Sequence, residues 1–359
     1  MKIRLSGADR ERMAQLTGIQ ENNARALQTI SAYLVRRARW VEAADVDSVS
    51  ACGVTEEQAY VALMSAGMGL DEQDNPKDRA LVLDYIAPAM RKLEADTYRN
   101  DPYFRSVRVP EKTVGSWNLG MRRYAPYEAF VRNDVRLYDD FREVPQLGFF
   151  SETFIFPAVM ENGNEWMTVT PNEVETMKEA VSRARGRVAA YGLGLGYFAF
   201  MASEKSEVTG VTVIERDEQA IRLFEEEILP QFPHREKIEI VCADAFDYAA
   251  RGEAFDVAFV DLWHDVSDGI DLYLRMKKLE EKTPGAQFIY WIEKSLLSHL
   301  RFHLFWRMEE ATRRRDEELG KLLGREEICS FEEIENLLGE RSLKEMALRL
   351  ENINQLKGI

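Results

Sequence analysis

The chain has 359 residues, 45% hydrophobic and 30% charged. At roughly 100–200 residues per domain, this predicts two or three structural units and excludes disorder or coiled coil as its main character. With 47 basic and 62 acidic side chains the net charge is −15, which repels phosphate backbones and argues against a nucleic-acid partner.

No apolar run approaches the roughly 18–20 residues that span a bilayer; the stickiest stretch, Phe255–Trp263, is broken by Asp256 and Asp261. The N-terminus, MKIRLSGADRERMAQL, lacks an apolar signal core. No membrane partner and a cytoplasmic location are expected. Cys52, Cys242 and Cys329 are widely spaced and suggest neither a disulfide framework nor a zinc site.

Residues 1–100 read as a helical domain. Leu27, Ile30, Leu34 and Val41 recur at helical spacing, and Thr55 with Gln58 forms a capping box. Leu81, Val82, Tyr85, Ile86 and Leu93 suggest another helix, with Pro88 a kink or break. Residues 101–170 read as a β-rich lead-in or lid. Gly148–Met160 and Glu165–Val169 are extended runs around the turn Glu161-Asn162-Gly163-Asn164, a β-hairpin by turn chemistry. Trp117, Tyr124, Tyr127 and Phe130 either line a substrate pocket or pack. Thr170 caps a helix running from Asn172 to about Arg185, with Pro171 in its first turn.

Strands and helices then alternate. Strands are expected at Arg187–Tyr191, Val208–Ile214, Ile238–Cys242, Asp256–Val260 and Phe288–Ile292, with helices from Phe198 and over Asp217–Leu229. Strands separated by helices imply βαβ crossovers and a parallel sheet. From Leu296 the chain is helical again. Ser330/Glu333 and Ser342/Glu345 read as capping boxes, and Arg313-Arg314-Arg315 as a solvated helix face.

The informative segment is Tyr191-Gly192-Leu193-Gly194-Leu195-Gly196, where a strand runs into three alternate glycines and a helix. Glycine suits a sharp turn and a ligand that approaches backbone N–H groups closely. Glu215 ends the next strand, where a carboxylate can accept both hydroxyls of a ribose. A dinucleotide fold wants a third glycine where this chain has Tyr197, and the bulk of Gly196-Tyr197-Phe198 argues for a nucleoside without pyrophosphate.

With these residues the chain resembles the class I S-adenosylmethionine-dependent methyltransferases, over less than a third of its length. Their first motif resembles Tyr191–Gly196, the acidic second Ile214-Glu215-Arg216-Asp217, the third Cys242-Ala243-Asp244-Ala245-Phe246 and the fourth Asp256–Asp261. The resemblance implies an α/β fold: a Rossmann-like, doubly wound, mostly parallel sheet over 171–295, with an N-terminal helical region, a β-hairpin lead-in and a helical C-terminal extension over 296–359. It implies S-adenosylmethionine as cofactor, held by Tyr191, Gly192, Gly194, Gly196, Glu215, Arg216, Asp244, Ala245, Asp261 and Trp263. Asp244 would take the adenine amino group and the Ala245 N–H a ring nitrogen. Trp166–Glu173 would close over the cofactor, with Glu173 or Thr170 near its methionine part.

The family's β-hairpin after strand five is missing, so either the sheet is truncated or strands from 101–170 complete it. The Asn-Pro-Pro-Tyr signature of base methylation is replaced by Asp261-Leu262-Trp263-His264-Asp265. Asp261 could orient a cationic or hydroxyl substrate, Trp263 could stack on adenine or lie near the sulfonium, and His264 could act as base, since an imidazole titrates near pH 6.5. Asp261, His264, Asp265, Asp268 and Asp271 read better as a solvated acidic loop and helix start than as a metal site. His234, His299 and His303 share no ligand pattern. The expected function is methyl transfer to a small-molecule (or protein) acceptor, with a homodimer plausible from the helical flanks. The alternatives are an aminopropyltransferase resembling spermidine synthase and a cofactor-binding protein without catalysis.

Overall fold

A computed structural model describes residues 1–357. The chain opens with the short strand β1 (Lys2–Ile3) and the long helix α1 (Gly7–Arg37), whose N-cap Ser6 accepts from Asp9 N–H. The buried stripe of α1 includes Met13, Leu16, Asn23, Ala26, Ile30 and Tyr33. Leu27, one residue past Ala26, rotates off this stripe and is 59% exposed, against expectation. The helix α2 (Glu56–Gly67) starts at the expected Thr55–Gln58 capping box. The helix expected over Leu81–Leu93 is interrupted. A helical turn at Pro76–Leu81 widens into a π turn at Val82–Ile86, and by β2 (Met90–Lys92) the chain is extended. Pro88 has no N–H to bond back and its ring crowds the preceding turn, so the helix loosens and stops.

Residues 101–170 carry six strands: β3 (Lys112–Val114), β4 (Trp117–Tyr124), β5 (Phe130–Leu137), β6 (Glu143–Phe149), β7 (Phe154–Glu161) and β8 (Asn164–Thr168). They form two sheets, ordered β2-β6-β5 and β3-β4-β7-β8. The expected single run Gly148–Met160 is thus split between two sheets. The turn joining β7 to β8 is also tighter than expected: Glu161 pairs with Asn164, leaving Asn162 and Gly163, both at positive φ, as a two-residue loop of primed type. Tyr124 stacks on Phe130 (4.2 Å, 10°) and Tyr127 on Phe149 (5.7 Å, 25°), so these aromatics pack. Helix α3 (Pro171–Arg183) follows. Thr170 occupies its N-cap but makes no capping hydrogen bond, its hydroxyl turning to the Tyr124 phenol instead.

The central sheet is built from β9 (Gly186–Tyr191), α4 (Tyr197–Ser203), β10 (Val208–Glu215), α5 (Glu218–Glu227), β11 (Ile238–Cys242), α6 (Ala245–Ala249), β12 (Val257–Val260), α7 (Val266–Leu279) and β13 (Gln287–Tyr290). Its order is β11-β10-β9-β12-β13 and every pair is parallel. The order reverses between β9 and β12, the switch point where open α/β sheets leave a crevice at their carboxyl ends. The sheet stops at five strands: the strands of 101–170 stay apart, and helix α8 (Glu293–Ala311) follows β13.

Beyond α8 come α9 (Glu317–Leu323), β14 (Glu327–Ile328), α10 (Phe331–Leu338) and α11 (Glu340–Ala347), with β14 pairing parallel to β1. The Ser330–Glu333 capping box is present, whereas Ser342 lies inside α11, which starts earlier because the Leu343 N–H reaches back to the Gly339 carbonyl. Arg313–Arg315 occupy the turn between α8 and α9 rather than a helix face. They are solvated and pair with Glu309, Glu310 and Glu317.

Two apolar clusters form. One surrounds the central sheet and gathers Met1, Ile3 and Leu5 with the C-terminal helices; the other joins the distal half of α1 and α2 to β6. A buried polar knot links them. The Arg301 guanidinium and Ser298 hydroxyl of α8 both donate to Glu143 of β6, and Asn23 of α1 accepts from the Glu143 N–H at 3.0 Å. Asp134 of β5 caps α8 from outside, accepting from Lys294 and Ser295 N–H at 3.0 Å, because Ile292 at that cap has no side-chain acceptor. These ties hold the lead-in against the sheet. Among the described residues no helix is long and apolar enough to cross a membrane.

Candidate functional site

A cavity of about 300 Å³ opens at the carboxyl ends of β9, β10, β11 and β12, under the hairpin of β7 and β8. Gly192, Gly194, Glu215, Arg216, Asp244, Ala245, Asp261, Trp263 and His264 all line it. Tyr191 and Gly196 do not. Tyr191 is buried in β9, edge-on to Tyr248 at 6.4 Å, and Gly196 faces the Phe224 ring from a left-handed conformation (φ 73°) that starts α4.

The glycines answer to protein neighbours. At Gly192 (φ 103°) a Cβ would lie 2.0 Å from the Asp261 carbonyl oxygen, so glycine lets the ends of β9 and β12 meet. At Gly194 it would lie 1.8 Å from the Met167 sulfur. Met167 of β8 rests on the glycine loop and its sulfur accepts from the Leu195 N–H at 3.3 Å. The Gly196 N–H goes to the Leu193 carbonyl at 2.9 Å. Two N–H groups of the loop, those of Leu195 and Gly196, are thus occupied within the protein.

At the β10 and β11 side, two carboxylates are half engaged. Glu215 Oε1 accepts from Arg216 N–H at 2.7 Å and Asp217 N–H at 2.9 Å, while Oε2 has only a 3.4 Å bond from Leu193 N–H. Asp244 is the N-cap of α6, with Oδ1 accepting from Phe246 and Asp247 N–H at 2.9 and 3.0 Å. Each therefore has one oxygen, Glu215 Oε2 and Asp244 Oδ2, without a short hydrogen bond among the described residues. Ala245 stands at the first position of α6, where an N–H has no acceptor within the helix.

The β12 side differs. Burial pushes Asp261 up to about 7. Glu173, in the first turn of α3, is pushed well above the carboxylate range by burial, then by the charges of Asp261 and Glu165. Its Oε2 is buried and finds no partner among the described residues. Two desolvated carboxyls facing one cavity resist ionising together. A cation placed between them lets both ionise. Sequence reasoning placed Glu173 near this end without a role, since a first-turn glutamate is ordinary in any helix.

Trp263 lines the cavity with its ring nearly parallel to Tyr290 (6.4 Å, 14°) and against Gly269, its buried indole N–H without a partner among the described residues. His264 lies at the rim, half-exposed, with Nδ1 2.9 Å from Asp268 Oδ2. Asp265 and Asp268 make the capping box of α7, and Asp271 accepts from Ile353 N–H, so these acids have structural partners. His299 and His303 sit side by side on α8, 4.6 Å apart, His303 pushed down to about 4 by burial and by His299.

No protein-family model and no curated protein matches the chain. Among solved structures it is similar to spermidine synthase from Thermotoga maritima, at 15% identity and a TM-score of 0.29, over 45% of this chain and 55% of that one. A spermidine synthase in complex with the transition state analogue AdoDATO matches at 15% identity and a TM-score of 0.29, over 45% of this chain and 56% of that one. The chain thus spans little more than half the length of these structures, and the α/β assignment stands on its own strand order.

Proposed function

We propose that the chain is an alkyltransferase that draws on an S-adenosyl sulfonium donor, with methyl transfer from S-adenosylmethionine to an amine as its reaction. The observation that carries this reading is the desolvated pair Asp261 and Glu173 at the switch point. The cavity fits an adenosine. In this reading Glu215 Oε2 takes the ribose hydroxyls, Asp244 and the Ala245 N–H take the adenine edge, and Gly192, Gly194, Arg216 and Trp263, which line the cavity, form its walls. When bound, such a donor supplies an electrophilic carbon whose bonding pair leaves with the sulfur as a neutral thioether. Asp261 and Glu173 attract positive charge and orient the acceptor nitrogen. His264, at the rim, takes the proton that this nitrogen loses on alkylation.

A second reading has a specific support. The basic side chains lining the cavity are Arg216 and His264, whereas Glu165, Glu173 and Asp261 gather negative charge at the end beside Glu173. That end favours a donor without a carboxylate, as in aminopropyl transfer from decarboxylated S-adenosylmethionine.

Calorimetric titration with S-adenosylhomocysteine, with NAD as control, tests the common part; micromolar binding of the first alone is expected. Binding of NAD instead, or of neither, removes the reading. Turnover of each donor with a panel of mono-, di- and polyamines, read by product mass, then separates methyl from aminopropyl transfer.

A further inference from the structure

We propose that Asp268 and Trp166 are positioning residues that lock the His264 ring with its proton on Nδ1 and its lone pair on Nε2. The proposal rests on the reading of His264 as the group that takes the acceptor's proton, and it adds what makes that imidazole competent.

Asp268 stands in the first turn of α7. Its carboxylate accepts from Asp265 N–H at 3.0 Å, from His264 N–H at 3.1 Å and from His264 Nδ1 at 2.9 Å. Partial burial works to raise this carboxyl, but the hydrogen bonds from Asp265 and His264 outweigh it and hold it below the usual carboxylate range. An ionised carboxylate only accepts, so Nδ1 must donate. The neutral ring then carries its lone pair on Nε2, the nitrogen with no partner among the described residues. Backbone and side chain of one residue converge on one carboxylate, which fixes both torsions of the histidine.

The second clamp comes from another part of the chain. Trp166, on β8 of the hairpin, meets the imidazole edge to face at 4.4 Å and 87°. Trp117 of β4 backs it at 5.6 Å and 83°. The hairpin that covers the cavity therefore also sets the plane of the ring, and a capping role for Asp268 alone would not place an indole there. Other charged groups around this end of the cavity are Glu165 on β8, Glu173 on α3, Asp261 after β12 and Arg216 after β10.

The test begins with the protein as it stands, without ligand. Nitrogen-15 NMR of the ring should report His264 as the Nδ1–H tautomer. Asp268→Asn keeps an oxygen for the Asp265 N–H and turns its amide N–H₂ to the ring, so the proton should move to Nε2. Trp166→Ala should abolish the ring-current shift of the His264 carbon-bound protons, and Trp166→Phe should restore most of it. With the donor and amine that turn over, Asp268→Asn should lower kcat about 100-fold and leave the donor KM within about twofold. An Nε2–H tautomer in the unsubstituted protein, or unchanged kcat in a variant whose tautomer has switched, overturns the proposal. The expected tautomer with full turnover in His264→Gln overturns the base assignment instead, and with it the function of the clamp.

Discussion

Both ends of the cavity carry carboxylates, and the protein treats them in opposite ways. Beside β10 and β11, Glu215 and Asp244 each bind two neighbouring backbone N–H groups through one oxygen and hold the other ready. Beside β12, Asp261 and Glu173 are desolvated, and among the described residues Glu173 Oε2 is buried with no hydrogen-bond partner. Unsatisfied buried polar groups cost stability, and they persist where function uses them. The first end is tied to the backbone by hydrogen bonds and the second is desolvated.

The largest expected effect breaks that contrast by neutralising the second end. Asp261 has a folded-state value of about 7, raised from 3.8. A raised acid favours the folded protein fully only below its unfolded value, and that stability is lost as pH rises through the folded value. Relative to Asp261→Asn, the unsubstituted protein should therefore lose stability as pH rises. With 1.36 kcal/mol per unit, the gap should open by roughly 3 kcal/mol between about pH 5 and about pH 8. Denaturant melts of both proteins across that range measure it. Glu173→Gln should act in the same direction, and the double variant should fall short of the sum because the two charges repel each other. Parallel stability curves for Asp261→Asn and the unsubstituted protein would remove the desolvated pair from the site.

The first end should answer through affinity instead. Glu215→Ala should weaken S-adenosylhomocysteine binding by about 1.5–3 kcal/mol, the scale of hydrogen bonds to a charged group. Calorimetry checks it, with a thermal melt to confirm folding. An unchanged dissociation constant would leave Glu215 as a clamp for the Arg216, Asp217 and Leu193 amides only.

These two ends were unequally legible in the sequence. Glu215 ends β10 and Asp244 follows β11, strands whose boundaries lie within a residue of the expected ones, because alternating strands and helices carry local signals of period and capping. The pairing of Glu173 with Asp261 joins the first turn of a helix to a strand end in another unit, and no local pattern encodes that. The same holds for Met167 on the Leu195 N–H, for Trp166 on His264, and for the Asp134 cap on α8. The two sheets of the lead-in are illegible for a related reason. Its strands look alike in composition, but which sheet each joins depends on long-range pairing, so the Phe150–Thr153 break between β6 and β7 stayed hidden inside one apolar run. The glycine loop is the subtlest case. Gly192 and Gly194 line the cavity as expected, yet the rigid neighbours at the loop's glycines, the Asp261 carbonyl at Gly192 and the Phe224 ring at Gly196, belong to the same chain.

The smallest expected effect sharpens the contrast, because Asp244 has two jobs that one substitution can separate. As N-cap of α6 it satisfies Phe246 and Asp247 N–H through Oδ1; as ligand acceptor it would use Oδ2. Serine caps about as well as aspartate but offers a single oxygen and no charge. Asp244→Ser should therefore keep the thermal midpoint close to that of the unsubstituted protein while weakening S-adenosylhomocysteine by about 1 kcal/mol, five- to tenfold in Kd. Asp244→Ala should lose both, with about 1 kcal/mol of stability gone as well. If the serine variant binds as tightly as the unsubstituted protein, Asp244 is a cap alone, and recognition at this end rests on Glu215 and the backbone.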